Sequence, residues 1–185
     1  ATTADGSPIY NNIKSVYDII IKNGGWKDMS LSETGWPTAY GLNNQEEQAR
    51  NLVEFFAIGD WMNVRYKIYY DLQNDGTSLQ DNESQFGLYD LDNNIKKGFV
   101  ALNHFNTRLA GAIFHSKITL STNDYAFMYS KDKKPVILAW NPIEETEYDF
   151  GRNVVVYDLV ITSSGAIAVV LISSPHAPFI VLRKT

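Results

Sequence analysis

Cysteine is absent from all 185 residues. That excludes disulfides, thiol nucleophiles, Cys-ligated zinc and iron–sulfur clusters. Long apolar runs are missing as well: the longest, such as Ala166–Ile172, falls far short of the roughly 20 residues of a membrane span. No membrane span is expected. At the start, no cationic stretch precedes an apolar one, so a targeting peptide is expected to be absent or already removed. Positive charge is in short supply, with Lys+Arg 16 against Asp+Glu 21 and a net charge of −5. Without a Lys/Arg cluster, a nucleic-acid partner is not expected. The three histidines, His104, His115 and His176, are scattered without metal-ligand spacing. Asp71, Asp75 and Asp81 do not follow the Ca²⁺-loop pattern. Ser163-Ser164-Gly165 is a turn and not a nucleophile elbow, and no Gly-rich phosphate loop is present. No metal and no cofactor is expected.

Apolar residues at 44% and aromatics at 13% are ample for a folded core. The charge is uneven. Residues 1–112 hold nine Lys/Arg and fourteen Asp/Glu, and residues 113–185 hold seven of each. The texture changes at the same point, so the expected division is 1–112 and 113–185.

In the first part, Ile13, Val16, Tyr17 and Ile20 follow helical spacing. Pro8 stands near the start of this helix and Asn23-Gly24-Gly25 ends it. Met29–Glu33 alternates like a strand and stops at Gly35-Trp36-Pro37. Asn44 and Glu47 form a capping box ahead of a helix whose stripe is Ala49, Leu52, Val53 and Phe56. Val64–Tyr70 is a strand by its β-branched and aromatic content. A polar loop follows, with Asn74-Asp75-Gly76 as turn chemistry. Phe99, Leu102, Phe105 and Leu109 mark the last helix. The order α-β-α-β-α implies parallel strands joined by crossovers. Two such strands cannot make a buried parallel sheet alone.

The second part carries six short strand candidates: Ile113–Leu120, Tyr125–Tyr129, Pro135–Trp140, Val154–Val160, Ala166–Ile172 and Pro178–Leu182. Asn141-Pro142, Ser163-Ser164-Gly165 and Ser174-Pro175 separate some of them as turns. This spacing predicts an antiparallel β-sandwich.

Several segments carry a family likeness. Ser32-Glu33-Thr34-Gly35-Trp36-Pro37-Thr38 resembles the seventh-strand signature of the clan A-type (β/α)8 retaining glycoside hydrolases, a Thr-Glu-Phe-Gly-Trp type motif. Gln45–Arg50 resembles the start of the following helix, and Ile68–Gly76 the eighth strand and its loop. Glu83–Leu88 is similar to the family's Glu-x-x-Phe-Gly-Leu stretch, and Lys96–Leu102 to its final helix. The closing segment Ser173–Ile180 is similar to the small sandwich appended to several of these enzymes.

The resemblance implies the last two βα units of a TIM (β/α)8 barrel followed by a small antiparallel β-sandwich. It also implies hydrolysis of a poly- or oligosaccharide by double displacement. Glu33 aligns with the nucleophile, which attacks from one face of the sugar while a second carboxyl protonates the leaving oxygen. Trp36, Tyr69 and Tyr70 are the implied stacking residues, although the family usually has Trp where Tyr69 stands. Asn74 is a further candidate for sugar hydroxyls. The acid/base falls outside this chain, since two barrel strands of eight are present. The implied partners are a carbohydrate substrate and the N-terminal remainder of the barrel, from the same precursor or a separate chain. A polysaccharide substrate points to a secreted or extracytoplasmic protein. The competing reading is a non-catalytic carbohydrate-binding or assembly module derived from such an enzyme.

Overall fold

The structure is a computed structural model. It describes residues 7–119 and 124–140 and, beyond these, the backbone of four strands between residues 146 and 182. The chain forms two compact units, Asp5–Asn103 and His104–Thr185.

The first unit begins with α1 (Pro8–Lys22), β1 (Ser30–Thr34), α2 (Gln45–Trp61) and β2 (Tyr66–Tyr69). A 3-10 turn, Glu83–Gln85, precedes α3 (Lys97–Leu109), whose last six residues belong to the second unit. Pro8 sits in the first turn of α1, where its missing N–H costs no hydrogen bond. Ile13 and Tyr17 turn inward, while Val16 remains 41% exposed. Asn23 closes the helix, its N–H donating to the Ile19 carbonyl.

The capping box expected at α2 is complete. Asn44 Oδ1 accepts from the Glu47 N–H at 2.9 Å, and the Glu47 carboxylate accepts from the Asn44 N–H at 2.8 Å. The buried stripe differs by one position from the expected one. Phe55, not Phe56, lies at the bottom of the core beside Leu52 and Ile58. Gln48 shares that stripe, four residues before Leu52 and seven before Phe55.

β1 and β2 pair in parallel, with Ser30 opposite Tyr66, Leu31 opposite Lys67 and Thr34 opposite Tyr69. The helix α2 is their crossover, because parallel neighbours require a long connection. The pair has one covered and one open face. Lys67 Nζ donates to Asp60 Oδ1 on α2 at 2.6 Å, and Leu31 and Thr34 line a small cavity against α1 and α2. On the other face Tyr66 is 58% and Ile68 53% exposed. Among the described residues β1 and β2 pair with each other alone.

The second unit holds β3 (Ile113–Ile118), β4 (Tyr125–Lys131), β5 (Lys134–Trp140), β6 (Thr146–Tyr148), β7 (Asn153–Thr162), β8 (Gly165–Ser174) and β9 (Ile180–Leu182). Five of them form one antiparallel sheet in the order β3-β4-β5-β8-β7, and β6 pairs with β9. Val136 through Trp140 are buried without a break, so over these five residues neither face of β5 meets water. Tyr125 stacks on Trp140 across the β4–β5 pair, centroids 4.9 Å apart and planes at 8°. All six expected strands are present, and β6 is an addition. At three residues it is too short to show a period of two. The turns expected at Asn141-Pro142, Ser163-Ser164 and Pro175 lie outside the described residues.

Candidate active site

Because β1 and β2 run parallel, their C-terminal ends open on the same side. The ladder continues one step past the strands, where the Tyr70 N–H donates to the Thr34 carbonyl at 2.9 Å. Glu33 stands at this end of β1 and is exposed, between Leu31 and Thr34, where the register is irregular. Two residues on, Gly35 brings the β1–α2 loop against the end of β2. A Cβ there would lie 2.0 Å from the Tyr70 carbonyl oxygen and 2.7 Å from Phe86 Cδ1.

Tyr70 carries the electrostatics of this end. Its phenol is pushed up, first by Asp71, then by burial, and further by Asp75, Glu33 and Glu83. The nearby carboxylates thus oppose a phenolate there. Its ring meets Phe86 edge-on at 5.5 Å. Asp71 is itself pushed up, chiefly by burial and then by Asp75, with Lys96 acting against the shift. Its Oδ1 is buried without a hydrogen-bond partner.

Trp36 and Tyr69 are brought together, stacked with centroids 6.5 Å apart and planes at 26°. Tyr69 alternates with Lys67, so it lies on the helix-covered face. Its hydroxyl donates to the Phe86 carbonyl at 3.0 Å, and burial pushes the phenol well above its ordinary value of 10.0. Trp36 also meets Phe55 edge-on at 5.9 Å. These two rings form a wall between strand end and helix, whereas Tyr70 is the aromatic in the field of Glu33.

Asn74 is more deeply placed than a turn residue would be, at 7% exposure. Its Oδ1 accepts from the Gly87 N–H at 2.9 Å and from Lys96 Nζ at 3.2 Å, and its amide donates to Gln85 Oε1 at 2.9 Å. Asn74 therefore braces the β2–α3 loop from inside. Asp75 and Glu83, on the same loop, remain exposed.

Gln48 escaped the sequence reading. Fully buried, its side-chain amide donates to the carbonyls of Trp36 at 2.9 Å, Phe86 at 3.1 Å and Gly87 at 3.4 Å. It thus fastens both loops to α2. The signal was available: an uncharged polar residue on the apolar stripe of α2 must find partners once buried. Lys96, at 3% exposure, was missed because its partners are distant in sequence. Among the described residues, no group of three or more His, Asp or Glu side chains is placed to hold a metal ion. None of the helices there is long and apolar enough to cross a membrane.

No protein-family profile and no curated protein matches the chain in sequence. Two solved structures resemble it in fold. One is a family 39 glycoside hydrolase from the gut symbiont Bacteroides cellulosilyticus WH2, with a TM-score of 0.66 and 18% identity over 91% of this chain and 37% of that one. The other is a GH30 endoxylanase from Clostridium papyrosolvens C71, with a TM-score of 0.53 and 17% identity over 96% of this chain and 44% of that one. Over nearly its whole length the chain thus shares the fold of a part of these two glycoside hydrolases, and it spans less than half of either.

Proposed function

We propose that the chain is the C-terminal portion of a retaining glycoside hydrolase, comprising the last two βα units of a (β/α)8 barrel and an appended β-sandwich. The observation that carries this reading is the exposed carboxylate of Glu33 at the C-terminal end of a parallel strand, the end at which barrel enzymes assemble their sites. The fold shared with parts of two glycoside hydrolases supports it. So do the edges of the β1–β2 sheet, unpaired among the described residues, and the exposed Tyr66 and Ile68, since a parallel sheet is ordinarily buried on both faces. The partner that fits is the N-terminal remainder of the barrel.

In the completed site the Glu33 carboxylate attacks the anomeric carbon and forms a glycosyl ester. A carboxyl from the remainder, roughly 5–5.5 Å away, protonates the departing oxygen and then deprotonates the water that hydrolyses the ester. Tyr70 is the aromatic beside the reacting sugar. Trp36, Tyr69 and Asn74 hold the loops around it, and the substrate is a poly- or oligosaccharide.

The chain should be co-produced with a barrel remainder and assayed on polysaccharides, after native mass spectrometry has confirmed the pairing. The paired protein should release sugars, and Glu33→Gln should cut turnover at least a thousandfold, in line with nucleophile loss elsewhere. Unchanged turnover in that variant would overturn the assignment. Saccharide binding without hydrolysis in the paired protein would instead favour a non-catalytic carbohydrate-binding or assembly module.

A further inference from the structure

We propose that Asn23 is a site of spontaneous covalent modification, at which the folded chain converts its side-chain amide to aspartate or isoaspartate and thereby loosens the end of α1. The site lies in the first unit, on the link from α1 to β1, and is independent of the hydrolase reading.

Asn23 is the one asparagine of the chain that is followed by glycine. In the step, the Gly24 backbone nitrogen gives its proton to hydroxide and attacks Asn23 Cγ. The new C–N bond closes a cyclic imide, and the side-chain nitrogen leaves as ammonia, taking a proton from water and so restoring the hydroxide. A further water then opens the imide at either carbonyl. One opening gives aspartate, and the other gives isoaspartate, whose main chain runs through the former side chain. Water is the net co-reactant. Glycine favours the attack because no Cβ crowds its nitrogen.

The fold leaves this step open. Asn23 is exposed, and a Cβ built on Gly24 or Gly25 meets nothing within 4 Å, so both peptides can rotate without displacing a neighbour. Among the described residues the Gly24 N–H donates to no group, whereas the Asn23 N–H donates to the Ile19 carbonyl at 3.1 Å and the Gly25 N–H to the Ile21 carbonyl at 3.2 Å. Asn82 and Asn93 are also exposed, but there a carboxylate holds the attacking nitrogen. The Glu83 N–H donates to Asp81 Oδ1 at 3.2 Å, and the Asn94 N–H to Asp90 Oδ1 at 2.8 Å. A negative charge beside an N–H opposes its deprotonation. At Asn23 one bond restrains the side chain, whose amide donates to the Ile19 carbonyl at 2.8 Å. A single exposed bond of this kind slows the step by about three- to tenfold, far less than global unfolding would if the site were buried.

The product changes the end of α1. A carboxylate cannot donate, so the Ile19 carbonyl loses its side-chain partner. The new charge stands at the helix C-terminus, the negative end of the dipole, in a chain whose net charge is already −5. Lys22 in the last turn offsets this in part. Across the same link Trp26, itself exposed, stacks on Tyr17 with centroids 4.9 Å apart and planes at 11°. Tyr17 is held by burial and by its hydroxyl, which donates to the Asn63 carbonyl at 3.2 Å. Trp26 is therefore the ring that a frayed α1 terminus releases.

The test is incubation of the full chain at pH 8, folded and unfolded in guanidinium chloride, with peptide mapping by mass spectrometry. Folded Asn23 should convert within about tenfold of its unfolded rate, and folding should slow Asn82 and Asn93 by a larger factor. Asn23→Gln, whose longer side chain closes the imide poorly, should keep its amide in both states. Asn23→Asp reproduces one product, and its amide exchange at Asn23 and Gly25 should quicken about three- to tenfold over wild type, with α2 unchanged. A folded rate at Asn23 below the tenfold limit would show that the fold protects the site, which overturns the proposal. Folding that slows Asn82 or Asn93 no more than Asn23 would overturn it as well. So would unaltered exchange at Gly25 in Asn23→Asp, since α1 would then stand without the Asn23 amide.

Discussion

Gly35 and Tyr70 approach so closely that a Cβ on the glycine would lie 2.0 Å from the tyrosine carbonyl oxygen. The obstacle is backbone, which cannot rotate aside as a flexible side chain does. Gly35→Ala should therefore part the β1–α2 loop from the end of β2 and destabilise the first unit by about 1–3 kcal/mol. Gly41, at φ +77° with nothing within 4 Å of a built Cβ, is the control, where alanine should lose only about 1 kcal/mol of backbone preference. Urea midpoints of the two variants should differ in that order, and equal midpoints would show that the contact is relieved at no cost.

Gln48 joins α2 to three carbonyls of the two loops. Gln48→Leu keeps the volume but removes the donors, leaving the Trp36, Phe86 and Gly87 oxygens without that partner. The expected loss is about 2–4 kcal/mol, read by chemical denaturation. A loss under 0.5 kcal/mol would mean that the loops stand without α2.

Asn44→Ala removes the capping box of α2 and should cost about 1 kcal/mol. Because α2 is the crossover between β1 and β2, amide exchange in both strands should quicken along with the first turn of the helix. Quickening confined to that turn would separate the cap from the sheet.

Glu54 on α2 has its carboxyl pushed from 4.5 to about 7 by burial, with Arg50 only partly opposing the shift. Between these values the folded chain keeps a proton that the unfolded chain has released. Stability should then fall as pH rises from 4.5 to 7 and stay at its lowest above that window. Glu54→Gln cannot ionise, so this slope should vanish and the variant should be about 2 kcal/mol more stable than wild type at pH 8. Parallel stability curves for the two proteins would refute the prediction.

Lys96 carries the opposite case. Burial lowers its ammonium from 10.5 to about 8, against the pull of Asp71 and Asp90. Above pH 8 the folded chain sheds a proton that the unfolded chain retains, so this group's contribution to stability rises from pH 8 towards 10.5. Lys96→Met should remove that rise. Its bonds to Asn74 and Gln85 are lost at every pH, so the slope between pH 8 and 10 is the measurement and not the absolute midpoint.

Local order was legible wherever the signal was short-range. Asn44 and Glu47 announced their capping box because both partners lie within one turn. Pro8 and Asn23-Gly24-Gly25 bracketed α1 for the same reason. The alternation of helices and strands implied the parallel pairing of β1 and β2, since a helical crossover leaves no other common geometry. Glu33 could be placed at a strand end from its neighbours alone.

What the chain determined by itself is therefore most of the elements and their order, the three-residue β6 excepted, because these are properties of spacing along the backbone. Which ring faces which neighbour was decided only in three dimensions. Tyr69 and Tyr70 are adjacent in sequence and equally aromatic, yet one is bonded to Phe86 on the helix side and the other stands among carboxylates. Gln48 became a brace and Asn74 an interior support because Phe86, Gly87 and Lys96 return to them across thirteen or more residues. Burial and hydrogen-bond partners of that range depend on the closed fold, and no local pattern encodes them.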